Sequence, residues 1–273
     1  GKNWSWLAKI FAFFGVCVGL MGIGTFTQVN GISSAVKNFF DPNALYTISI
    51  LDRDYSIYVV IAGIIVSVCV ALVIIGGIKR ISNVTQVIVP FMAVVYISAS
   101  VLLIITNISE VPAAFATIIE GAFNPSAVTG GIVGTMAIAM QKGIARGIFS
   151  NEAGLGSAPI AAAAAQTKDP VRQGLVSMTG TFIDTIVICT MTGLSIVITG
   201  AWQVEGLQGV EVTTYAFQHG LPFSSTFSAF ILMICLVFFA FTTILGWDYY
   251  SERCLEYLVG GRGKTILTYR WIY

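Results

Sequence analysis

The sequence predicts an all-α integral membrane protein that crosses the bilayer six times, with one crossing made of a broken helix. Charged residues account for only 10% of the chain and hydrophobic residues for 56%, with a mean hydropathy of +0.86. Soluble domains carry about 25% charged residues, so this shortage favours a polytopic membrane protein. Each crossing needs about 20 apolar residues. Six runs qualify, in a single transmembrane domain over 1–273: about 6–35, 56–78, 84–106, 128–166, 174–201 and 223–250.

The first run is long and rich in glycine. Its glycines recur at near-helical spacing, at Gly15, Gly19, Gly22 and Gly24. Small residues on one face let helices approach closely, so we expect this face to pack against another crossing. The polar pair Gln28 and Asn30 follows. A hydrated helix end or hydrogen bonding between helices explains this pair more simply than ligand contact, which stays open as the alternative.

Turns and surface segments separate the runs. Residues 36–55 and 202–222 are expected to form loops, and 107–127 an amphipathic surface helix. Lys79 and Arg80 are expected to form a tight basic turn between the second and third runs. These polar segments set the ends of the crossings.

The fourth run is too long for one simple crossing and contains a charged, glycine-rich stretch. Residues 141–166 read QKGIARGIFSNEAGLGSAPIAAAAAQ. A helix in hydrocarbon cannot leave backbone groups unpaired, so such a stretch persists at membrane depth only against protein or a water-filled cavity. We therefore predict two half-helices joined by a segment that is unwound near 147–156. Transporters expose carbonyl groups and half-helix ends to ions and substrates at such breaks.

The predicted break has the chemistry to hold an amino-acid zwitterion. Gly154 and Gly156 release the helix and free carbonyl groups, which coordinate a cation or accept from an ammonium group. The N–H groups that open the second half-helix carry partial positive charge suited to a carboxylate. The alternative is a structural glycine kink with polar residues paired between helices. Charge and backbone release at one depth favour the functional interpretation.

Three charged residues near the break have more than one interpretation. Glu152 either lies near the bound cation or pairs with Arg146 and locks the break, and we favour the pairing. Asp184 lies inside the fifth run, in TFIDTIVICT. An intramembrane carboxylate is a functional-site hypothesis, and the competing interpretation is that Asp184 organises the break from the next helix.

The sixth run carries two adjacent hydroxyl groups, on Thr242 and Thr243. Hydroxyl oxygens and freed carbonyls are hard ligands that suit Na⁺. The alternative is a hydrogen bond back to the preceding turn of the same helix, which taken alone is the better explanation. Trp247 follows one turn later, either as an interface anchor or as a wall of the pocket.

Lysine and arginine counts orient the chain. Ten of these residues fall on one side of the six crossings and two, Lys37 and Arg53, on the other. Both ends are therefore expected in the cytoplasm under the positive-inside rule. A net charge of +1 without basic runs argues against a nucleic-acid partner. One His and five scattered Cys give no metal-ligand spacing, so no cofactor is expected beyond Na⁺ as a coupling ion.

Four stretches resemble the alanine or glycine:cation symporter family, the sodium:alanine symporters. They are GIARGIFSNEAGLGSAPIAAAAA, DPVRQGLV, FIDTIVICTMTGL and FAFTTILGWDYYSE. The resemblance covers essentially the whole chain and implies part of a leucine-transporter-type inverted-repeat fold, with these six crossings as the third through eighth. It implies that the first, second and later crossings lie outside this chain, which is then a fragment. Ala163 departs from the family pattern, in which many relatives have His.

The resemblance also implies roles for individual residues. It implies substrate contacts from the break itself, at Ser150, Asn151, Glu152, Ala153 and Gly154. It implies Na⁺ ligands at Thr242 and Thr243, with Trp247 beside the pocket. Gln28 and Asn30 match the polar end of the family's third crossing.

These features predict a secondary active transporter rather than an enzyme. The expected activity is Na⁺-coupled symport of alanine or glycine, by alternating access about a midplane site in a prokaryotic plasma membrane. A channel or scaffold membrane protein is the alternative. An intramembrane aspartyl hydrolase is less favoured, because Asp184 and Asp248 would have to share a proton and Asp248 lies at the cytoplasmic end of its run.

Overall fold

The structure is a computed structural model that describes residues 4–43, 45–50, 52–123, 132–152, 154–261 and 263–273. Four helices within these residues are long and apolar enough to cross a membrane: Ile57–Ile75, Gly77–Thr106, Pro170–Ile198 and Ser225–Val259. The protein is therefore an α-helical membrane protein. Its chain divides into two compact units, a first unit of Gly1–Tyr96 with Thr226–Tyr273 and a second unit of Ile97–Ser225.

The first unit is helical except for one hairpin. Its elements are α1 (Ser5–Leu20), α2 (Phe26–Phe40), β1 (Thr47–Ile50), β2 (Arg53–Ser56), α3 (Ile57–Ile75), the first part of α4 (Gly77–Thr106), nearly all of α11 (Ser225–Val259) and α12 (Gly263–Ile272). The basic pair Lys79 and Arg80 lies in the first turn of α4, because the chain turns earlier, at Gly77, which has a φ of +69°.

The first predicted run is two helices in the structure. α1 ends at Leu20, and Gly22 takes a φ of +64°, a left-handed conformation that glycine adopts without penalty. The Gly22 carbonyl accepts hydrogen bonds from the main-chain N–H groups of Thr25 and Phe26 at 3.0 and 2.8 Å, and this turn leads into α2. The expectation of one continuous helix over about 6–35 is corrected accordingly.

The glycines of α1 and its following turn lie against α11. At three of them, a Cβ atom would overlap a side chain of α11. The pairs are Gly15 with Cys254, Gly19 with Ser251, and Gly24 with Trp247. The partners recur at i, i+4 and i+7, which is one helix face. The glycines thus allow the close helix approach that the sequence predicts, while Gly22 serves the turn instead.

Apolar side chains fill the middle of the first unit. One buried cluster contains Val73, Ile74, Ile81, Phe241 and Leu245, and a neighbouring cluster contains Ile32, Val36, Ala240 and Ile244. The opposite side of α3 leaves large apolar side chains exposed, among them Ile61, Ile64, Ile65, Val68 and Leu72. A continuous apolar face of this kind marks a membrane-facing surface.

A short hairpin interrupts the segment that was expected to be a loop. β1 and β2 pair antiparallel, with Thr47 opposite Ser56 and Ile50 opposite Arg53. The residue at the turn, Asp52, has a φ of +59°, which Asp tolerates better than most residues. The hairpin starts within 36–55 and ends at Ser56, directly before α3 begins, so it fixes the entry into that crossing.

Asp41 anchors the chain that leads into the hairpin. Its side chain is 3% exposed and accepts hydrogen bonds from the Leu45 amide at 2.7 Å, the Tyr46 amide at 3.3 Å and the Ser56 hydroxyl at 2.8 Å. Burial opposes ionisation, but the hydrogen bond from Ser56, those of the two amides and the charge of Lys37 together lower the pKa of Asp41. Hydrogen bonds to a carboxylate favour its charged form.

The second unit contains the predicted break. Its described elements after the last part of α4 are a 3₁₀ turn (Ile108–Glu110), α5 (Val111–Phe123), α6 (Ile132–Ser150), α7 (Ser157–Ala162), α8 (Pro170–Thr181), a π-helix (Phe182–Cys189), α9 (Thr190–Ile198), a second 3₁₀ turn (Ala201–Gln203) and α10 (Val210–Gly220). Helices α8 and α9 continue through the π-helix and together form one candidate span.

Capping explains where this span begins. It was expected to start near 174, but α8 begins at Pro170. The Asp169 carboxylate caps the helix by accepting a hydrogen bond from the Val171 amide at 2.9 Å. Proline is suited to the first helical position because it lacks an N–H that would be left unpaired there.

Tertiary packing explains a helix where a loop was expected. α10 forms within 202–222, and its Phe217 side chain is fully buried. The Gly220 carbonyl accepts a hydrogen bond from the Asn107 side-chain amide at 2.8 Å. A Cβ atom on Gly220 would overlap Leu103, so the helix end lies close against α4. These contacts depend on residues distant in sequence.

Candidate functional site

The break between α6 and α7 is built from three left-handed residues. α6 ends at Ser150 and α7 begins at Ser157. Between them, Glu152, Gly154 and Gly156 have φ values of +53°, +78° and +81°. The sequence predicts an unwound segment near 147–156; in the structure α6 continues to Ser150, and residues 151, 152 and 154–156 are not helical. The predicted substrate contact Ala153 lies outside the described residues.

Glu152 adopts a conformation that is unusual for a residue with a side chain. Such a conformation costs on the order of 1–3 kcal/mol and persists when surrounding contacts hold it. The Ser157 hydroxyl donates a hydrogen bond of 2.8 Å to the Glu152 carboxylate, and Ser157 is buried. This bond joins the two sides of the break. In the described part of the chain Arg146 forms no ion pair with Glu152, so Ser157, rather than Arg146, holds this carboxylate.

Two consecutive residues at the end of α6 bind two consecutive residues of the π-helix. The Ser150 hydroxyl donates a hydrogen bond of 2.6 Å to the Asp184 carboxylate. The Asn151 side-chain amide donates to the Thr185 hydroxyl at 2.8 Å, and that hydroxyl donates back to the Asn151 carbonyl oxygen at 3.0 Å. All of these side chains belong to the second unit. The break is thus held from the following helix.

The π-helix determines which side chains meet the break. A π-helix forms i→i+5 hydrogen bonds, is rare, and occurs frequently at functional sites. The Thr190 hydroxyl donates back to the Thr185 carbonyl at 3.3 Å, with the same five-residue spacing. Because the π-helix has a wider turn than an α-helix, neighbouring residues Asp184 and Thr185 both reach the end of α6. Sequence reasoning identified Asp184 and missed Thr185.

At the end of α6 lie carbonyl groups for which the described residues supply no main-chain donor. Among the described residues, the carbonyl groups of Ser150 and Asn151 receive no main-chain hydrogen bond. The last four carbonyls of any helix lack intrahelical donors. Ser150 and Gly154 are exposed, and Asn151 and Glu152 are half-buried. The accessible end of α6 therefore brings together the carbonyl oxygens of Ser150 and Asn151, the side-chain amide of Asn151, and the Ser150 hydroxyl that donates to Asp184.

The predicted Na⁺ ligands lie on α11 in the first unit. The Thr242 hydroxyl donates to the Phe238 carbonyl at 3.0 Å, and the Thr243 hydroxyl donates to the Phe239 carbonyl at 2.8 Å. This is the hydrogen bonding back along the helix that was the competing interpretation. It occupies the hydroxyl hydrogens and leaves oxygen lone pairs. Cation ligation and back-bonding are therefore compatible at these positions.

Trp247 contacts the turn between α1 and α2, and the polar pair Gln28 and Asn30 lies in α2 after that turn. The Trp247 indole packs on the backbone of Gly24, one residue before Thr25. Gln28 is half-buried in the first turn of α2, and Asn30 is exposed. Two residues apart on a helix, these side chains point in different directions. Sequence reasoning missed the turn that brings Gly24 to Trp247; the paired glycines of GIG were the available signal.

Comparison with known proteins agrees with this membrane architecture. The model of the sodium:alanine symporter family matches residues 1–273. The chain is 54% identical to an uncharacterized transporter of Haemophilus influenzae over 100% of this chain, and 46% identical to the sodium/alanine symporter AgcS of Methanococcus maripaludis over 94%. It is 34% identical to a probable sodium/glutamine symporter, GlnT, of Bacillus subtilis over 99%. These alignments cover 56%, 52% and 52% of the relatives, so the chain spans about half their length.

Proposed function

The chain belongs to the sodium:alanine symporter family, and we propose that the full-length protein is a secondary active transporter that couples Na⁺ to the uptake of a small neutral amino acid. The relatives that carry functional names are transporters or symporters rather than enzymes. The observation that carries the proposal is the α6–α7 break, where consecutive residues Ser150 and Asn151 are held by Asp184 and Thr185. Broken helices of this kind form substrate and ion sites in transporters.

The substrate site that we propose is the break itself. Ser150, Asn151, Glu152, Ala153 and Gly154 line it, with carbonyl groups facing the ammonium end of the amino acid. The N–H groups that open α7 face the carboxylate, because the N-terminus of a helix carries partial positive charge. Trp247 is a further candidate for contact with the substrate. This arrangement matches both charges of a zwitterion.

The coupling site that we propose uses Thr242 and Thr243 as Na⁺ ligands. Their hydroxyl oxygens keep lone pairs after bonding to Phe238 and Phe239, and hard oxygen ligands suit Na⁺. Gln28 and Asn30 are weaker candidates for the substrate pocket. Asp184 and Arg146 are assigned supporting roles, Asp184 by holding Ser150 and Arg146 by adding positive charge on the last turns of α6.

For the fold, we propose a leucine-transporter-type inverted repeat in which this chain supplies the third through eighth crossings. The α1–α2 pair then makes one kinked crossing, and α6–α7 makes the broken one. The distribution of Lys and Arg supports a cytoplasmic location for both ends of the chain. In this arrangement the protein is a multi-pass protein of a prokaryotic plasma membrane, and transport proceeds by rocking of helices about the midplane site.

Uptake into proteoliposomes tests this function. The full-length protein is reconstituted, and the initial rate of labelled alanine uptake is measured with an inward Na⁺ gradient and with choline in place of Na⁺. We expect saturable uptake that requires Na⁺ and is competed by unlabelled glycine more strongly than by glutamine. Uptake that is unsaturable, as through a channel, or that is equal with choline would refute the proposal.

A further inference from the structure

A buried carboxylate on α11 has no hydrogen-bond partner among the described residues and no role in the transport site described above. Asp248 is 0% exposed, and neither carboxylate oxygen has a hydrogen-bond partner within the described residues. Asp248 lies one residue after Trp247 and five after Thr243. Buried charges in proteins are normally paired, and an unpaired buried acid takes up a proton instead. Such a group in a membrane span is a functional-site hypothesis.

Two described arginines pair with Glu252, the acidic residue one helical turn from Asp248. Glu252 lies one turn after Asp248 and is 2% exposed. Its carboxylate receives hydrogen bonds from Arg270 at 2.6 and 2.8 Å and from Arg253 at 2.6 Å. Arg270, on α12, is thus engaged through two nitrogen atoms. Both guanidinium groups therefore neutralise Glu252, and in the described part of the chain neither donates a hydrogen bond to Asp248.

The hydroxyl groups that α12 contributes are also engaged elsewhere. The Tyr269 hydroxyl donates to the Ser251 hydroxyl at 2.6 Å. The Tyr273 hydroxyl lies 2.6 Å from the Thr25 hydroxyl and donates to a carbonyl of α11 at 3.3 Å. The core packed on this side of α11, from α3 and α4, is apolar. The titratable or charged groups that act on Asp248 are therefore Glu252, Arg270, Tyr269 and Tyr273.

We propose that Asp248 is a proton-binding site of the first unit, occupied when α1, α11 and α12 are packed together. The bound proton makes the carboxyl group neutral beside Glu252. Loss of the proton creates a second negative charge one turn from Glu252, and like charges at this spacing on a helix repel each other. The ionised carboxylate also competes with Glu252 for Arg270, which weakens the contact between α11 and α12.

The consequence for stability follows from proton linkage. The packed form binds the proton, whereas an Asp exposed by unfolding has released it at neutral pH. Stability therefore falls as the pH rises, and one such proton changes the ratio of folded to unfolded protein by about tenfold per pH unit.

Infrared spectroscopy of the purified full-length protein tests the protonation directly. A protonated carboxyl group has a C=O stretch that a carboxylate lacks and that shifts in deuterated water. The variants are Asp248→Asn, which is neutral and of equal size, and the control Glu256→Gln, which removes a more exposed carboxylate paired with Arg253 on the same helix. We expect the protonated carboxyl band at mildly acidic pH, where exposed carboxyl groups are already ionised, in wild type and Glu256→Gln, and its loss in Asp248→Asn. A difference spectrum that contains only carboxylate bands would overturn the proposal.

Thermal unfolding in detergent at a series of pH values is the second measurement. Wild type and Glu256→Gln should lose stability as the pH rises from about 4, where an exposed Asp releases its proton, to neutral pH, and Asp248→Asn should lose much less. An equal loss in Asp248→Asn would also overturn the proposal. Neither measurement requires transport, so its failure is distinct from failure of the proposed symport activity.

Discussion

The Ser150 hydroxyl donates a hydrogen bond of 2.6 Å to the Asp184 carboxylate, across 34 positions of sequence. This bond fixes the last residue of α6 just before the helix is lost. Next to it, Asn151 and Thr185 exchange two hydrogen bonds. The break is therefore ordered by side chains of the following span, and substitutions at Asp184 or Thr185 should change its geometry.

Ser150 and Asp184 are expected to act as a coupled pair. A hydrogen bond to a charged group contributes about 1.5–3 kcal/mol, so Ser150→Ala and Asp184→Asn should each lower the initial rate of Na⁺-driven alanine uptake at least tenfold. The double variant should be hardly worse than either single one, because both changes remove the same contact. Uptake rates at matched protein levels measure the coupling between the two residues. As a control, the effects of Ser150→Ala and Thr179→Val should add when the two changes are combined, because these residues share no contact. Fully additive losses in Ser150→Ala with Asp184→Asn would contradict the pairing.

Thr185 is expected to matter although it was not among the sequence-predicted site residues. Thr185→Val keeps the shape of the side chain and removes the hydroxyl group that both accepts from and donates to Asn151. One or two lost hydrogen bonds of about 1 kcal/mol each correspond to a five- to thirtyfold weaker half-saturation by alanine. Thr179→Val is the matched control, since among the described residues the Thr179 hydroxyl bonds only to a carbonyl of its own helix. Equal half-saturation in Thr185→Val and wild type would show that the contact does not position the site.

Gly24 is expected to tolerate no side chain. A Cβ atom there would overlap the Trp247 ring, and overpacking of this kind costs about 1–3 kcal/mol. Gly24→Ala should therefore lower the thermal unfolding temperature of the purified protein and displace Trp247. Gly31→Ala is the control in α2, where a Cβ meets nothing within 4 Å and where alanine favours the helix by about 1 kcal/mol. A Gly24→Ala protein as stable as Gly31→Ala would refute the close contact.

The hairpin of the first unit is expected to loosen in acid. The pKa of Asp41 in the folded protein lies below its usual value of 3.8. The contribution of its carboxylate is therefore complete above that usual value and is lost as the pH falls through the lower folded one. Hydrogen exchange of the Leu45 and Tyr46 amides, corrected for intrinsic rates, measures how strongly the Asp41 carboxylate protects them. Asp41→Ala should abolish protection at neutral pH, and wild type should approach the variant only in strong acid. Equal protection in the variant at neutral pH would contradict this.

The sequence predicts the α6–α7 break but not the α1–α2 break, for a physical reason. At Gly154 and Gly156 the glycines occur with Asn151 and Glu152, and charge beside glycine inside an apolar run is hard to reconcile with a regular helix. Around Gly22 the flanking residues are apolar, and the glycine spacing equally suits helix packing. The neighbouring glycines do pack against α11, whereas Gly22 forms the turn. The same glycine spacing therefore contains both packing glycines and a turn glycine.

Features that depend on distant contacts could not be predicted. α10 is held by Gly220 against Leu103, residues more than a hundred positions apart, and its local sequence resembles a polar loop. Thr185 reaches Asn151 only because the π-helix changes the register of the span. Local composition reports neither the packing nor the register. The sequence could therefore predict which polar residues belong to the site, such as Asn151, but not the side chains that bind them, such as Thr185.

Na⁺-dependent binding of labelled alanine to the purified full-length protein tests the central claim most directly. The claim is that the unwound segment after Ser150 binds the amino acid, so Asn151→Ala should abolish saturable alanine binding in Na⁺. Asn83→Ala, at an exposed position of α4, should bind as wild type does. Undiminished Na⁺-dependent binding by Asn151→Ala, with the same affinity as wild type, would contradict the account.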